Sequence, residues 1–227
     1  MYHKIAELNS RSKWPGHYVS PAAFGRQMAA LKALGFQSIP LSNLNSQEAK
    51  KPIVITFDDG YENFYQHALP SLKKHNLTAT VFLVSQQVGG SNAWDVAEGD
   101  VEERLMTADQ IAASQNQGIE FGSHTRNHAN LAKASPETAW DEIANSKIDL
   151  EELLNQKVET FAYPYGAETG ETRKMVEKAG YRVACSTRKG TNDTGTDPYA
   201  LKRINIRRDT ALPFFVLKIW RGLRFDR

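Results

Sequence analysis

The chain has 227 residues, 41% of them hydrophobic and 24% charged, so it can bury a sizeable core as one domain and is too apolar for wholesale disorder. A formal charge of +2 is too small to point to a nucleic-acid partner, which needs a concentrated basic face. A single cysteine, Cys185, excludes an intrachain disulfide and a thiolate metal site.

Met1–Leu8 lacks a basic region followed by an apolar run, and no stretch reaches the length of a membrane span, so a cytoplasmic location is expected. Ser20-Pro21 opens a helical pattern of Phe24, Met28 and Leu31 that Gly35 closes. After a polar loop over Ser42–Lys51, Ile53–Phe57 reads as a strand buried on both faces, running into Asp58-Asp59-Gly60. A second strand is expected over Thr80–Val84, and Trp94-Asp95 follows in a polar loop as a sugar-covering aromatic or a fold anchor. Thr107 and Gln110 have the spacing of a capping box. Further strands are expected over Ile119–Gly122, Thr160–Tyr163, Tyr181–Ala184 and Leu201–Ile206, with helices opening at Ser135-Pro136 and Thr169. Cys185 reads as a small buried side chain. Short apolar runs alternating with helices favour an α/β fold with parallel strands, organised as one domain over 1–227.

The final segment, Leu212–Arg227, mixes Phe214, Phe215, Leu217, Ile219, Trp220, Leu223 and Phe225 with Lys218, Arg221, Arg224 and Arg227. A terminal helix packing its apolar side on the domain is the plainer expectation. Peripheral contact with an anionic membrane, on its inner face for a cytoplasmic protein, is the other.

Two constellations are chemically unusual. Adjacent carboxylates at a strand end repel each other, and a divalent cation offsets that cost: one carboxylate ligates while the other takes a proton from a metal-bound water. Alone, Asp58-Asp59-Gly60 is equally a turn signal. A phosphohydrolase is disfavoured because no glycine-rich phosphate loop accompanies it. Downstream, His124-Thr125-Arg126-Asn127-His128 sets two imidazoles four residues apart, which share a face if they stand on one helical turn. Two imidazoles and a carboxylate suit a divalent ion with an open coordination position, zinc first, with cobalt, nickel or manganese as alternatives. An isolated His-x-x-x-His is more often a pair of ordinary histidines.

Thr56-Phe57-Asp58-Asp59-Gly60, then Ser123-His124-Thr125-Arg126-Asn127-His128, then Phe161-Ala162-Tyr163-Pro164-Tyr165-Gly166 resemble the ordered motifs of polysaccharide deacetylases, carbohydrate esterase family 4. Tyr2-His3 and Leu201-Lys202-Arg203-Ile204 resemble the family as well. The resemblance implies a distorted (β/α) barrel of about seven parallel strands and hydrolysis of N-acetyl groups from amino sugars of a polysaccharide or glycolipid. It implies Asp58 as base and Asp59, His124 and His128 as metal ligands. Tyr163, Pro164, Tyr165 and Gly166 would form a substrate groove wall, with the Tyr165 N–H toward the oxyanion.

Two family features are missing. Many relatives have a base-pairing arginine before the third motif's proline, where this chain has Phe161-Ala162-Tyr163-Pro164; Arg203 is expected to supply that charge near Asp58. A late general-acid histidine is also absent, since no histidine follows His128. His3 is a candidate for the acid, beside a metal-bound water and protonated Asp58, whereas His17, His67 and His75 read as bystanders. An idle carbohydrate-binding barrel and an O-deacylase remain alternatives.

Overall fold

In the computed structural model, residues 1–44 and 49–224 are described, with the backbone alone for 221–224. The expected loop at 45–48 and the expected contributions of Arg221, Leu223, Arg224, Phe225 and Arg227 side chains lie outside the described residues.

The chain begins with β1 (Lys4–Ile5), which pairs in parallel with β2 (Tyr18–Val19). Helix α1 (Pro21–Ala33) follows, capped by the Ser20 hydroxyl, which accepts from the Ala23 N–H at 3.3 Å. It buries the expected Phe24, Met28 and Leu31. Next, β3 (Gln37–Ser38) pairs in parallel with β4 (Pro52–Ile53), and β5 (Thr56–Phe57) pairs with the following long strand. The single strand expected over Ile53–Phe57 is therefore interrupted. The chain changes partner between Ile53 and Thr56, and Ile53 and Val54 are only half-buried. Pro52, without an N–H to donate, sits at the first position of its short strand.

After α2 (Leu69–Lys74), β6 (Thr80–Leu83), α3 (Ala93–Ala97) and α4 (Ala108–Gln115) comes β7 (Glu120–Ser123). The Thr107–Gln110 capping box at the start of α4 is formed in both directions. Then follow α5 (Pro136–Leu154), β8 (Thr160–Ala162), α6 (Gly170–Lys178), β9 (Val183–Lys189), β10 (Leu201–Arg203) and α7 (Leu212–Arg224). Strands β5 to β10 form one six-stranded sheet in sequence order, every pair parallel. Because the strands are all parallel, the loops after their ends lie on one face.

The Met1–Tyr2 segment joins the two edges of this sheet. The Tyr2 N–H donates to Thr56 O at 2.8 Å and the Asp58 N–H to Tyr2 O at 3.1 Å. On the other side the Met1 nitrogen donates to Ile204 O at 2.9 Å, and the Ile206 N–H to Met1 O at 3.0 Å. Six strands and this bridging segment make the distorted (β/α) barrel expected from the sequence. Phe57, Val81, Phe121 and Phe161, each at most 1% exposed, pack the layer between sheet and helices, while Phe82, Ala162, Cys185 and Leu201 form a separate buried cluster on the other face of the sheet.

Helix α7 buries Phe215 and packs Leu212, Val216 and Ile219 on the core, while Phe214 is 63% exposed. No helix among the described residues is long and apolar enough to cross a membrane.

Candidate metal centre

Asp58 and Asp59 leave the end of β5, His124 and His128 follow β7, and the barrel brings the two loops together. Asp59 has φ 75° and Gly60 φ 77°, so two successive left-handed residues turn the chain sharply and send the adjacent carboxylates different ways. Asp59 Oδ1 lies 3.4 Å from His124 Nε2 and 3.3 Å from His128 Nε2. One donor atom from each of the three residues falls within 4.8 Å of the others, and all three residues are buried.

The histidines do not stand on a helical turn. Residues 124–128 form a loop in which Thr125 has φ 66° and His128 φ 59°, and this double reversal brings both rings onto Asp59. Glu142, buried on α5, holds the loop: its Oε2 accepts the Arg126 and Asn127 N–H groups, each at 2.9 Å, and its Oε1 accepts the Asn127 amide at 2.8 Å. Glu142 escaped the sequence reading, yet it lies on the apolar stripe Ala139, Ile143, Ser146 and Leu150, where a carboxylate needs buried partners.

The donor set fits a divalent ion. His124 Nδ1 is 2.7 Å from the Ala162 carbonyl, which can only accept, so Nδ1 holds the ring proton and Nε2 turns a lone pair toward Asp59. Asp59 Oδ1 is buried and without a hydrogen-bond partner among the described residues. Burial lowers the His128 imidazole, against the pull of Asp59, and keeps it neutral as a ligand must be.

Asp58 points to a different partner. Arg203 Nη1 donates to Asp58 Oδ1 at 2.6 Å and Nη2 to Oδ2 at 2.8 Å, while Nε donates to Ser186 O at 2.9 Å. Burial raises the Asp58 carboxyl, and the Arg203 guanidinium more than offsets this, so Asp58 stays ionised. His3 stands at the site too, with Nε2 4.0 Å from Asp58 Oδ2. His17, read as a bystander, stacks its ring on that of His3. His67 and His75 line a separate surface hollow between α1 and α2.

The third motif divides. Tyr163 is fully buried, its hydroxyl donating to Tyr199 O at 3.0 Å, and Pro164 is buried beside it, so neither offers a surface to a substrate. Of the four residues expected to wall a groove, Tyr165 and Gly166 alone reach the surface. Tyr165 is 54% exposed at φ 60°, its ring edge-on to His128 at 4.7 Å between centroids. Gly166 has φ 67°, and a Cβ there would come within 2.0 Å of Thr187 Oγ1. Trp94 stacks on His128 at 4.5 Å, and Asp95 accepts from the Tyr61 hydroxyl at 2.9 Å. Cys185 is buried and its thiol is pushed up to about 11 by burial, which leaves it inert.

A parallel barrel whose strand ends gather two imidazoles and two inequivalent carboxylates is the framework of a barrel hydrolase. The polysaccharide deacetylase family matches residues 45–184, and the chain belongs to that family. The YxkH protein of Bacillus subtilis, named for polysaccharide deacetylase, is 31% identical over 91% of this chain and 70% of its own length. Poly-beta-1,6-N-acetyl-D-glucosamine N-deacetylase of Staphylococcus aureus is 26% identical over 97% of this chain and 81% of its own. Among solved structures, the Streptococcus pyogenes deacetylase PplD in complex with acetate superposes with a TM-score of 0.82 at 26% identity, covering 96% of this chain and 95% of that one.

Proposed function

We propose that this protein is a metal-dependent N-deacetylase of polymers of N-acetylated amino sugars, releasing acetate and leaving a free amine. One observation supports the reading above the rest: an ionised, arginine-gripped carboxylate, Asp58, stands next to the Asp59–His124–His128 donor set without belonging to it. A structural ion site needs no such second carboxylate. An idle carbohydrate-binding barrel would have no use for it either.

Asp59, His124 and His128 hold the ion in this reading, zinc first by donor type, and when bound it supplies a Lewis acid for the acetamide carbonyl and for a water. Asp58 takes the proton from the attacking water. Arg203 keeps Asp58 ionised and aims both of its oxygens. The leaving nitrogen must gain a proton as its bond to the acyl carbon breaks, and His3 beside Asp58 passes one on. Burial and the neighbouring His17 lower the His3 imidazole to about 3, so it rests neutral and acts as a relay rather than a standing acid. The Tyr165 N–H serves the oxyanion, and the Tyr165 and Trp94 rings in contact with His128 offer apolar faces to sugar C–H surfaces.

The substrate class follows the Staphylococcus aureus relative, named for a β-1,6-linked N-acetylglucosamine polymer. The test is mass spectrometry of poly-N-acetylglucosamine, chitin, peptidoglycan and lipopolysaccharide fragments after incubation with zinc-loaded protein. Loss of acetyl from at least one N-acetylated glycan is expected. Bound metal with every glycan intact would favour the binding reading.

A further inference from the structure

His17 lies 14 residues after His3 in the chain, yet the two imidazoles stack nearly flat, 4.1 Å between centroids and 5° between planes. The register of the short β1–β2 pair produces this arrangement. Lys4 pairs with Tyr18 and Ile5 with Val19 in parallel, so the residues just before them, His3 and His17, are brought side by side. His17 closes a single tight turn, Pro15–His17, whose Gly16 carbonyl accepts from the Arg208 N–H at 3.3 Å. Trp14 lies beside His17, 6.3 Å between centroids and 21° between planes. The column Trp14–His17–His3 therefore ends 4.0 Å from Asp58 Oδ2.

A histidine at a chain end of the barrel has two soft side-chain torsions, and a relay that must face both Asp58 and the leaving nitrogen tolerates little rotation. Arg203 grips the Asp58 carboxylate, and His3 Nε2, 4.0 Å from Oδ2, makes no short hydrogen bond to it. Its ring plane has to be fixed from the other side, where His17 lies.

We propose that His17 is a positioning residue for His3, its flat ring locking the His3 imidazole in the orientation that reaches Asp58 and the leaving nitrogen. This rests on the reading of His3 as the proton relay. Because the lock is a stacking contact, it requires a flat ring at position 17 and not a titrating one.

The test combines crystal structures of His17→Ala and His17→Phe with kinetics on two probes, an N-acetylglucosamine oligosaccharide and 4-nitrophenyl acetate, whose nitrophenolate departs without needing a proton. In His17→Ala the His3 ring is expected to swing away, and kcat on the oligosaccharide to fall about tenfold to a hundredfold at unchanged KM, with ester hydrolysis spared. His17→Phe should keep both the ring orientation and the rate. In a His3→Ala background the His17→Ala change should have no further effect. Full oligosaccharide turnover in His17→Ala, an equal loss in His17→Phe, or a loss shared by the ester would overturn the proposal. Failure of the underlying reading shows separately, as undiminished turnover in His3→Ala alone. The crystal structures then decide the stacking claim, which an unmoved His3 ring in His17→Ala would end.

Discussion

Arg203 and Asp58 lie 145 residues apart in the chain and meet as a two-pronged pair, guanidinium against carboxylate at 2.6 and 2.8 Å, with side chains 5% and 3% exposed. The pair fixes the charge and direction of Asp58 without using a residue of the third motif.

Removing one half of a buried pair leaves the other uncompensated. Arg203→Met should cost about 3–5 kcal/mol of stability, read by denaturant unfolding. It should also raise the Asp58 carboxyl, since burial then acts without its chief opponent. Activity that needs ionised Asp58 will retreat to higher pH, so the acid limb of kcat/KM should move up by about one to three units while metal content stays unchanged. Arg203→Lys should not restore the profile, because one ammonium cannot engage both oxygens. An unmoved acid limb would separate Arg203 from the base.

Glu142 contacts the backbone of the histidine loop and neither ligand directly. Glu142→Ala should weaken zinc affinity about tenfold in a chelator competition, with the fold intact by circular dichroism. Glu142→Gln keeps an acceptor oxygen and should recover part of the loss. Equal affinity in all three proteins would show that the loop holds its two left-handed turns unaided.

Lys4 is fully buried, its ammonium 3.7 Å from Asp100 Oδ2 and about equally close to the faces of Tyr18 and Tyr61, at 4.8 and 4.7 Å, with no hydrogen-bond partner among the described residues. Asp100 is better served, accepting from the Lys13 N–H at 2.6 Å and the Ser12 hydroxyl at 3.1 Å. The two truncations should therefore be unequal. Lys4→Met should be near neutral, and Asp100→Ala should cost about 3–5 kcal/mol by stripping a buried cation of the carboxylate beside it. Equal losses in thermal unfolding would count against this account.

Stability of the metal-free protein should fall on mild acidification. The His3 imidazole drops from its ordinary 6.5 to about 3 on folding, chiefly through burial. The unfolded chain therefore binds more protons in that interval. The contribution is fully present above about pH 6.5 and is lost progressively as pH falls toward 3. His3→Phe should flatten the melting temperature across this window, and an unchanged slope would place the proton uptake elsewhere.

The sequence displays the parts of this protein that are local. Ser20, Thr107 and Ser135 cap the helices they precede because a cap needs only an oxygen three residues before an amide. Asp58-Asp59 and the histidine pair are visible because they follow strand ends. Long-range register is harder to read. Nothing near Tyr2 shows that it bridges the sheet edges, and the split of Ile53–Phe57 depends on a change of partner, not on composition. Tyr163 looks like groove aromatic surface in a Tyr-Pro-Tyr-Gly string, and it is core because β8 turns its side chain inward onto Phe161. His17 gains its place from a two-residue strand too short to register as a pattern.

The central claim is that Asp58 acts on water beside an ion it does not hold. Asp58→Asn keeps the shape and removes the base, so metal content and acetate release measured together on this variant test it most directly. The expected result is one equivalent of bound metal, as in the unaltered protein, with acetate release from N-acetylglucosamine oligosaccharide lost. Acetate release at the unaltered rate, or loss of the metal together with activity, would contradict the division of labour between Asp58 and Asp59.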